Sequence, residues 1–307
     1  MTSADPSQVP QKFEKHFEVI EPGGMTAIEL LSSHTDLSRQ KLKQIMQKGA
    51  VWLTQGRHTV RIRRATRKLH YGQIVHLYYD EQVLSQQPPA ARLISDEGDY
   101  SVWFKPVGML SQGSKYGDHT SIYRWAEVHL QPQRNAFLVH RLDRATQGII
   151  LLAHSKKAAA LLSEMFKERQ IKKYYQAIVK GAPQPQTIDS ALDDKQAITR
   201  ILSSEATEQS GFNYLTIQIL TGRKHQIRRH LAGIGYPVLG EPLYNHSGSA
   251  SEPDTAKKTI PELYLTATRI SFISPFDGEE KDYQLDEELY PEYSVPTARP
   301  DVYQNFN

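Results

Sequence analysis

Residues 140–153 read HRLDRATQGIILLA. His140, Arg141, Asp143 and Arg144 crowd into five positions, and the apolar run Ile149 to Ala153 follows at once. The run reads as a buried strand, and a loop at the mouth of such a strand is a rigid platform for reactive side chains. A carboxylate set among two guanidiniums and an imidazole suits chemistry in which one ionised carboxylate has to be held by cations.

Outward from this stretch, strand-like runs outnumber helices. YSVWFK (100–105), YYQAIV (174–179), FNYLTIQIL (212–220) and LYLTATRISFI (263–273) are strand-like. Two helices stand out. SKKAAALLSEMFKER (155–169) has Ser155 as its cap and Leu162, Met165 and Phe166 as its buried stripe. The second runs from about Lys224 to Gly233, with Ile227, Leu231 and Ile234 on one face and Pro237 beyond its end. Strands of unequal length with few βαβ repeats imply an α+β domain over 93–285: a mixed, mostly antiparallel sheet with flanking helices. NHSGSASEPDTAKKTIPE (245–262) is a loop by composition, and 286–307 reads as a peripheral acidic tail.

Ahead of this domain, residues 1–20 carry Pro6 and Pro10 and read as a flexible leader. A small α/β unit is expected over 21–84, and Pro88-Pro89 marks a semi-rigid linker over 85–92. In DLSRQKLKQIMQKGAV (36–51), Ser38 can cap a helix that buries Leu42, Ile45 and Met46 and closes at Gly49. Arg39, Lys41, Lys43 and Lys48 are left facing water. AVWL (50–53), TVRIR (59–63) and QIVHLYY (73–79) are strand-like.

The chain of 307 residues is 39% hydrophobic and contains no cysteine. Disulfides, thiolate metal sites and a cysteine nucleophile are thereby excluded, and a cytoplasmic setting is expected. The N-terminal stretch lacks the apolar segment of a secretory signal, and no apolar run approaches membrane-spanning length. The net charge of +3 hides an asymmetry. His34–His70 holds ten Lys/Arg against one acid, whereas Ser274–Asn307 holds nine acids against two bases. Further basic patches at 141–173 and 223–229 favour a polyanionic partner, nucleic acid above all.

Four polar, glycine-punctuated stretches line up along the larger domain: FKPVGML (104–110), HRLDRATQGIILLA (140–153), IKKYYQAIVKG (171–181) and TGRKHQIRRHLAGIGYPVLGEPLY (221–244). In order and spacing they resemble the RluA family of RNA pseudouridine synthases. LSRQKLKQIMQKGAVWL, a short hairpin and LHYGQIVHLYY resemble the S4-like RNA-binding domain. The resemblance implies the pseudouridine synthase fold for 93–285 and a small S4-like N-terminal domain. It implies Asp143 as the catalytic aspartate, Tyr175 as the active-site tyrosine and Arg223 as the arginine paired with Asp143. Arg141 would fill the gap left by a flipped base. Lys105, Arg144, Lys172, Lys173, Arg228 and Arg229 are candidates for phosphate contacts, joined by Arg39 and Lys43 on the front helix. The partner would be structured RNA, ribosomal (large subunit favoured) or transfer RNA, acted on by a monomer.

The chemistry agrees with that resemblance. Isomerising uridine to pseudouridine breaks a C–N glycosidic bond, turns the base and joins C5 to C1′. One ionised carboxylate suffices, so no cofactor and no metal are expected. An arginine can grip a carboxylate bidentately. A tyrosine offers a ring to stack on uracil and a phenol to relay the C5 proton. A glycoside hydrolase would need a second carboxylate near Asp143, and none appears in the motif. The echo of a kinase His-Arg-Asp lacks a phosphate loop and an Asp-Phe-Gly. His225 and His230 are wrongly spaced for two ligands on one helix face, and His140 and His225 read as structural hydrogen-bonders. A non-catalytic RNA-binding or ribosome-assembly protein that retains the fold is the alternative. Departures from the S4-like pattern are Gln55 and Gln73; departures from the synthase pattern are Gln147, Glu241 and Thr266, and none of these three is expected to touch the aspartate, the tyrosine or the arginine.

Overall fold

A computed structural model describes residues 10–20, 24–208, 210–245 and 263–290. The described chain divides into two compact units, one of residues 1–88 with 112–125, the other of 89–111 with 126–307.

In the first unit, β1 (Lys12–Glu18) is followed by α1 (Ala27–His34), α2 (Arg39–Gln47), β2 (Val51–Gln55), β3 (His58–Arg61), β4 (Ile74–Asp80) and α3 (Glu81–Ser85). The strands form an antiparallel sheet in the order β1-β4-β2-β3. Thr26 and Glu29 cap α1 reciprocally, and the Ser38 hydroxyl accepts from the Lys41 amide at the start of α2. Leu42, Ile45 and Met46 pack with Leu30, Leu31, Val51, Leu53, Val75 and Leu77 into one core. Each such side chain contributes roughly 1.5–3 kcal/mol by leaving water.

Two boundaries differ from expectation. Lys12–Glu18, expected within a flexible leader, pairs residue for residue with β4, and Phe13 and Phe17 pack on the core. Residues 1–9 lie outside the described residues. Residues 112–125, expected in the larger domain, group with the first unit. Asp118 explains why. Its buried carboxylate takes Arg63 and Arg61 and accepts from the Tyr123 hydroxyl at 2.6 Å, while its amide donates to the Lys48 carbonyl. The division between the units falls between Pro88 and Pro89.

In the second unit, β5 (Arg92–Asp96), β6 (Tyr100–Lys105), β7 (Phe137–Leu138), β8 (Gln147–Ala153), β9 (Lys172–Lys180), β10 (Gln186–Asp189), β11 (Ile198–Ala206), β12 (Phe212–Ile219), β13 (Leu265–Ile273) and β14 (Glu280–Gln284) build one mixed sheet. Its main order is β10-β11-β12-β9-β13-β8-β6-β5. Only β8 and β13 run parallel among the described strand pairs. Helix α4 (Ile122–His129), which the sequence reading does not predict, is divided between the two units at Trp125, whereas α5 (Lys156–Lys167) and α6 (Gln226–Gly233) correspond to the two expected helices of the second unit. Ala158, Leu162 and Met165 share one face of α5 and pack with Ile149, Leu151 and Ala153 of β8. Leu289 and Tyr290, expected in a peripheral tail, pack against the same core; 291–307 and most of the 245–262 loop lie outside the described residues.

The centre of the sheet is unusual in one respect. Lys105, Gly148, Ala267 and Tyr175 stand opposite one another on β6, β8, β13 and β9, and so share a face. Gly148 has φ +116°, and a Cβ there would lie 2.1 Å from the Ala267 carbonyl oxygen. The two smallest side chains therefore leave a floor between a lysine and a tyrosine. Gly148→Ala is expected to cost more than about 4 kcal/mol, because strain and backbone overlap add. Thermal unfolding checks this; a melting temperature near wild type would contradict it.

Candidate active site

The loop carrying Asp143 is laced in place on both sides. His140 opens it: its Nε2 accepts the Leu151 amide at 2.9 Å, and its ring packs 4.5 Å from that of Phe166. Burial pushes the His140 imidazole down to about 3, so it stays neutral and holds that bond. The Leu142 amide donates to the Ser111 hydroxyl, which donates back to the Leu142 carbonyl at 2.6 Å. Gly108 and Arg144 exchange two more bonds, one of them from Arg144 Nε at 3.1 Å. The Thr146 amide closes the turn on the Asp143 carbonyl. The 104–110 motif is thus a brace for the 140–148 loop.

Asp143 is partly exposed, and its Oδ2 lies 3.6 Å from Arg228 Nη1 and 3.8 Å from His225 Nε2. Arg228 is buried and grips the fully buried Glu241 through two bonds of 2.6 and 2.7 Å. Glu241 also accepts the Leu243 amide, and Tyr244 lies under the Arg228 guanidinium. The guanidinium facing Asp143 is therefore held by a second carboxylate behind it. Tyr175 is buried on β9, and burial, followed by the Asp143 charge, pushes its phenol upward.

The start of α6 is fixed by Gln226. Its side-chain oxygen accepts from the Arg223 amide and the Thr221 hydroxyl, and its amide group donates to Ile198 and Thr199. His225, one residue earlier, takes the left-handed conformation at φ 53°. That conformation costs a non-glycine residue roughly 1–2 kcal/mol and turns the imidazole toward Asp143.

Several expectations need correction. Arg223 does not pair with Asp143: its Nε donates to the Gln196 carbonyl at 3.0 Å, and Arg228 faces the aspartate instead. Arg228, expected at a phosphate, is buried in the Glu241 pair. Lys105, also expected at a phosphate, is fully buried and donates to the Pro106 and Met109 carbonyls. Burial lowers its ammonium to about 7, partly opposed by Asp143. Arg229 is already paired with Asp193 at 3.0 and 3.1 Å. Glu241, a departure from the family pattern, contacts none of Asp143, Tyr175 and Arg223 directly but holds Arg228. Arg141, Arg144, Lys172, Arg39 and Lys43 are exposed. Lys173 is sheltered beside the Phe166 ring, and burial lowers it to about 8.

Tyr174 points to the opposite face from Tyr175, beneath Arg269. Among the described residues no three His, Asp or Glu side chains are placed to hold a metal ion, and no helix is long and apolar enough to cross a membrane.

A partly exposed carboxylate faced by a braced arginine, beside a buried tyrosine on a mixed sheet, sits within the part of the chain that known proteins share. The profile of the RNA pseudouridylate synthase family matches residues 99–233. An uncharacterized RNA pseudouridine synthase of Mycoplasma pneumoniae is 31% identical over 235 residues, 68% of this chain and 73% of that one. The dual-specificity RNA pseudouridine synthase RluA of Haemophilus influenzae is 31% identical over 209 residues, covering 62% and 90%. The structure of human RNA pseudouridylate synthase domain containing 1 superposes with a TM-score of 0.52 at 21% identity, covering 66% of this chain and 86% of the human one. The chain belongs to the RluA-type RNA pseudouridylate synthase family and is an isomerase with the pseudouridine synthase fold.

Proposed function

We propose that the chain converts particular uridines of ribosomal RNA, with the large subunit favoured, or of transfer RNA to pseudouridine, with Asp143 as the reacting carboxylate. The observation that carries this reading is the Asp143 carboxylate 3.6 Å from the Glu241-braced Arg228, beside Tyr175. A carboxylate so placed attacks the sugar as nucleophile or removes a sugar proton as base. Arg228 complements its charge in a partly dry site. In this reading the target base lies along the Tyr175 ring, over the floor formed by Gly148 and Ala267. The raised Tyr175 phenol keeps its proton near neutral pH, so it stacks and donates rather than acting as a resting base.

The target uridine has to leave its stack. Arg141, exposed two residues before Asp143, fills the vacated position in this reading. Arg144 and Lys172 contact phosphates. Among the relatives, one is named a dual-specificity RNA pseudouridine synthase and another, from Pasteurella multocida, a tRNA pseudouridine synthase C. Ribosomal RNA is favoured because the first unit reads as an S4-like RNA-binding domain, an appendage frequent in ribosomal members of the family. Incubation with in-vitro transcribed ribosomal and transfer RNA carrying 5-tritiated uridine tests the reading. Tritium release is expected, and none from either RNA would count against it.

The exposed cations of α2 supply phosphate contacts for the first unit. Arg39→Gln with Lys43→Gln is expected to weaken RNA binding and to lower the slope of log affinity against log salt by roughly one to two. An unchanged slope in filter binding would show that this face touches no phosphate. Deleting residues 1–84 is a poorer test, because it removes the arginines that hold Asp118.

A further inference from the structure

We propose that Tyr244 and His225 form a positioning pair for Asp143, in which the tyrosine hydroxyl fixes the imidazole tautomer that points an N–H at the carboxylate. This rests on the reading of Asp143 as the reacting group.

The Tyr244 hydroxyl lies 2.8 Å from His225 Nδ1, and His225 Nε2 lies 3.8 Å from Asp143 Oδ2. A neutral imidazole carries one proton, on one nitrogen or the other. With the proton on Nδ1, the Nε2 lone pair would face a carboxylate oxygen, which repels it. With the proton on Nε2, an N–H faces Asp143 and Nδ1 accepts from the Tyr244 O–H. Both contacts are then favourable, and a tyrosine hydroxyl is free to donate. The opposite end of the pair selects the same tautomer, so the two contacts reinforce each other.

Further features support a role in positioning. His225 is held in a left-handed backbone conformation that an ordinary helix start does not need, and such strain gathers at working sites. The charged groups facing it are Asp143 and Glu241, which favour its protonation, and Arg228 and Lys224, which oppose it; burial outweighs them and keeps the ring neutral near pH 7. The gap of 3.8 Å exceeds a hydrogen bond, and contacts of this kind tighten when substrate fills the site. Closing it would fix the orientation of the Oδ2 atom while Arg228 fixes its charge environment. Tyr244 also packs edge-on against His225 and under Arg228, so one side chain steadies both partners of the aspartate.

The test has two arms. In the full-length chain labelled with ¹⁵N-histidine, long-range proton–nitrogen correlation reads the tautomer, with the His225 signals identified by their loss in His225→Gln. The wild type is expected to show the Nε2–H form, and Tyr244→Phe a mixture with a titration midpoint moved up. The Nδ1–H form in the wild type would overturn the proposal, and this arm needs no activity. In the second arm, single-turnover tritium release from 5-tritiated ribosomal and transfer RNA transcripts is measured beside filter-binding affinity. Tyr244→Phe is expected to slow the reaction on the order of tenfold with affinity unchanged. His225→Gln, which keeps a donor, is expected to be faster than His225→Ala. A wild-type rate in Tyr244→Phe, or equal rates for the two His225 variants, would overturn the proposal. Absence of release by the wild type itself would instead overturn the reading of Asp143.

Discussion

Asp143→Asn is expected to lower pseudouridine formation by at least about a thousandfold while leaving RNA affinity within about twofold. The amide has the shape of the carboxylate but neither its charge nor its nucleophilicity, so both candidate roles of Asp143 are lost together. The fold should tolerate the change. The Asp143 side chain is 29% exposed, and its contacts to Arg228 and His225 are 3.6 and 3.8 Å, longer than hydrogen bonds. Loop geometry instead depends on His140, Leu142, Arg144 and Thr146, which the substitution leaves alone. Tritium release measures the rate and filter binding the affinity. Turnover near wild type would remove the mechanism, and a collapse of affinity would make Asp143 a binding residue.

The second large effect separates two arginines. Arg228→Met is expected to abolish activity and to cost about 3–5 kcal/mol of stability, because it strands the buried Glu241 carboxylate. For a chain of this size that is a melting-temperature loss of roughly 5–8 °C. Arg223→Ala removes a bond to the Gln196 carbonyl at a partly exposed position, so it is expected to change stability by under about 1 kcal/mol and to leave Asp143 with its cation. Arg228→Lys should fall between, since an ammonium keeps the charge but loses the paired grip on Glu241. Thermal melts beside tritium release decide the matter. If Arg223→Ala were inactive and a folded Arg228 variant active, the pairing described here would be wrong.

That pair of arginines also shows where sequence stops being informative. The spacing of Ile227 and Leu231 defines the buried stripe of α6, and Arg228 borders that stripe while Arg223 precedes the helix. The signal for Arg228 was therefore present in the helical phase, yet motif resemblance pointed to the glycine-flanked Arg223. Lys105 carries no such signal. Nearly all of β6 is buried, so alternation marks no face, and a lysine at a strand end ordinarily reads as exposed. The strand at Lys12–Glu18 was legible in part, because Phe13 and Phe17 sit on the same side of an extended chain; the prolines nearby obscured it.

Membership of 112–125 in the first unit was not legible at all. It depends on Asp118 meeting Arg61 and Arg63, residues more than fifty positions away. Departures from the family pattern gain meaning only in three dimensions. Gln73 donates to Gln55, and Gln147 donates to Thr266 across the parallel strand pair, so four of the five departures meet in two contacts. The fifth, Glu241, holds the arginine. By contrast the polar loop around Asp143 and the buried strand after it are legible in residue order alone, and alternation separates Tyr174 from Tyr175 without saying which faces the loop. Local polarity, glycine placement and strand alternation carry that information without tertiary context.

The most direct test of the central claim is a map of pseudouridine in total cellular RNA at single-nucleotide resolution, made with and without this protein. The account predicts at least one site in ribosomal or transfer RNA that disappears without the protein, returns with the wild type and stays absent with Asp143→Asn. An unchanged map, together with no tritium release from either class of RNA in vitro, would contradict it and favour a protein that binds RNA without modifying it.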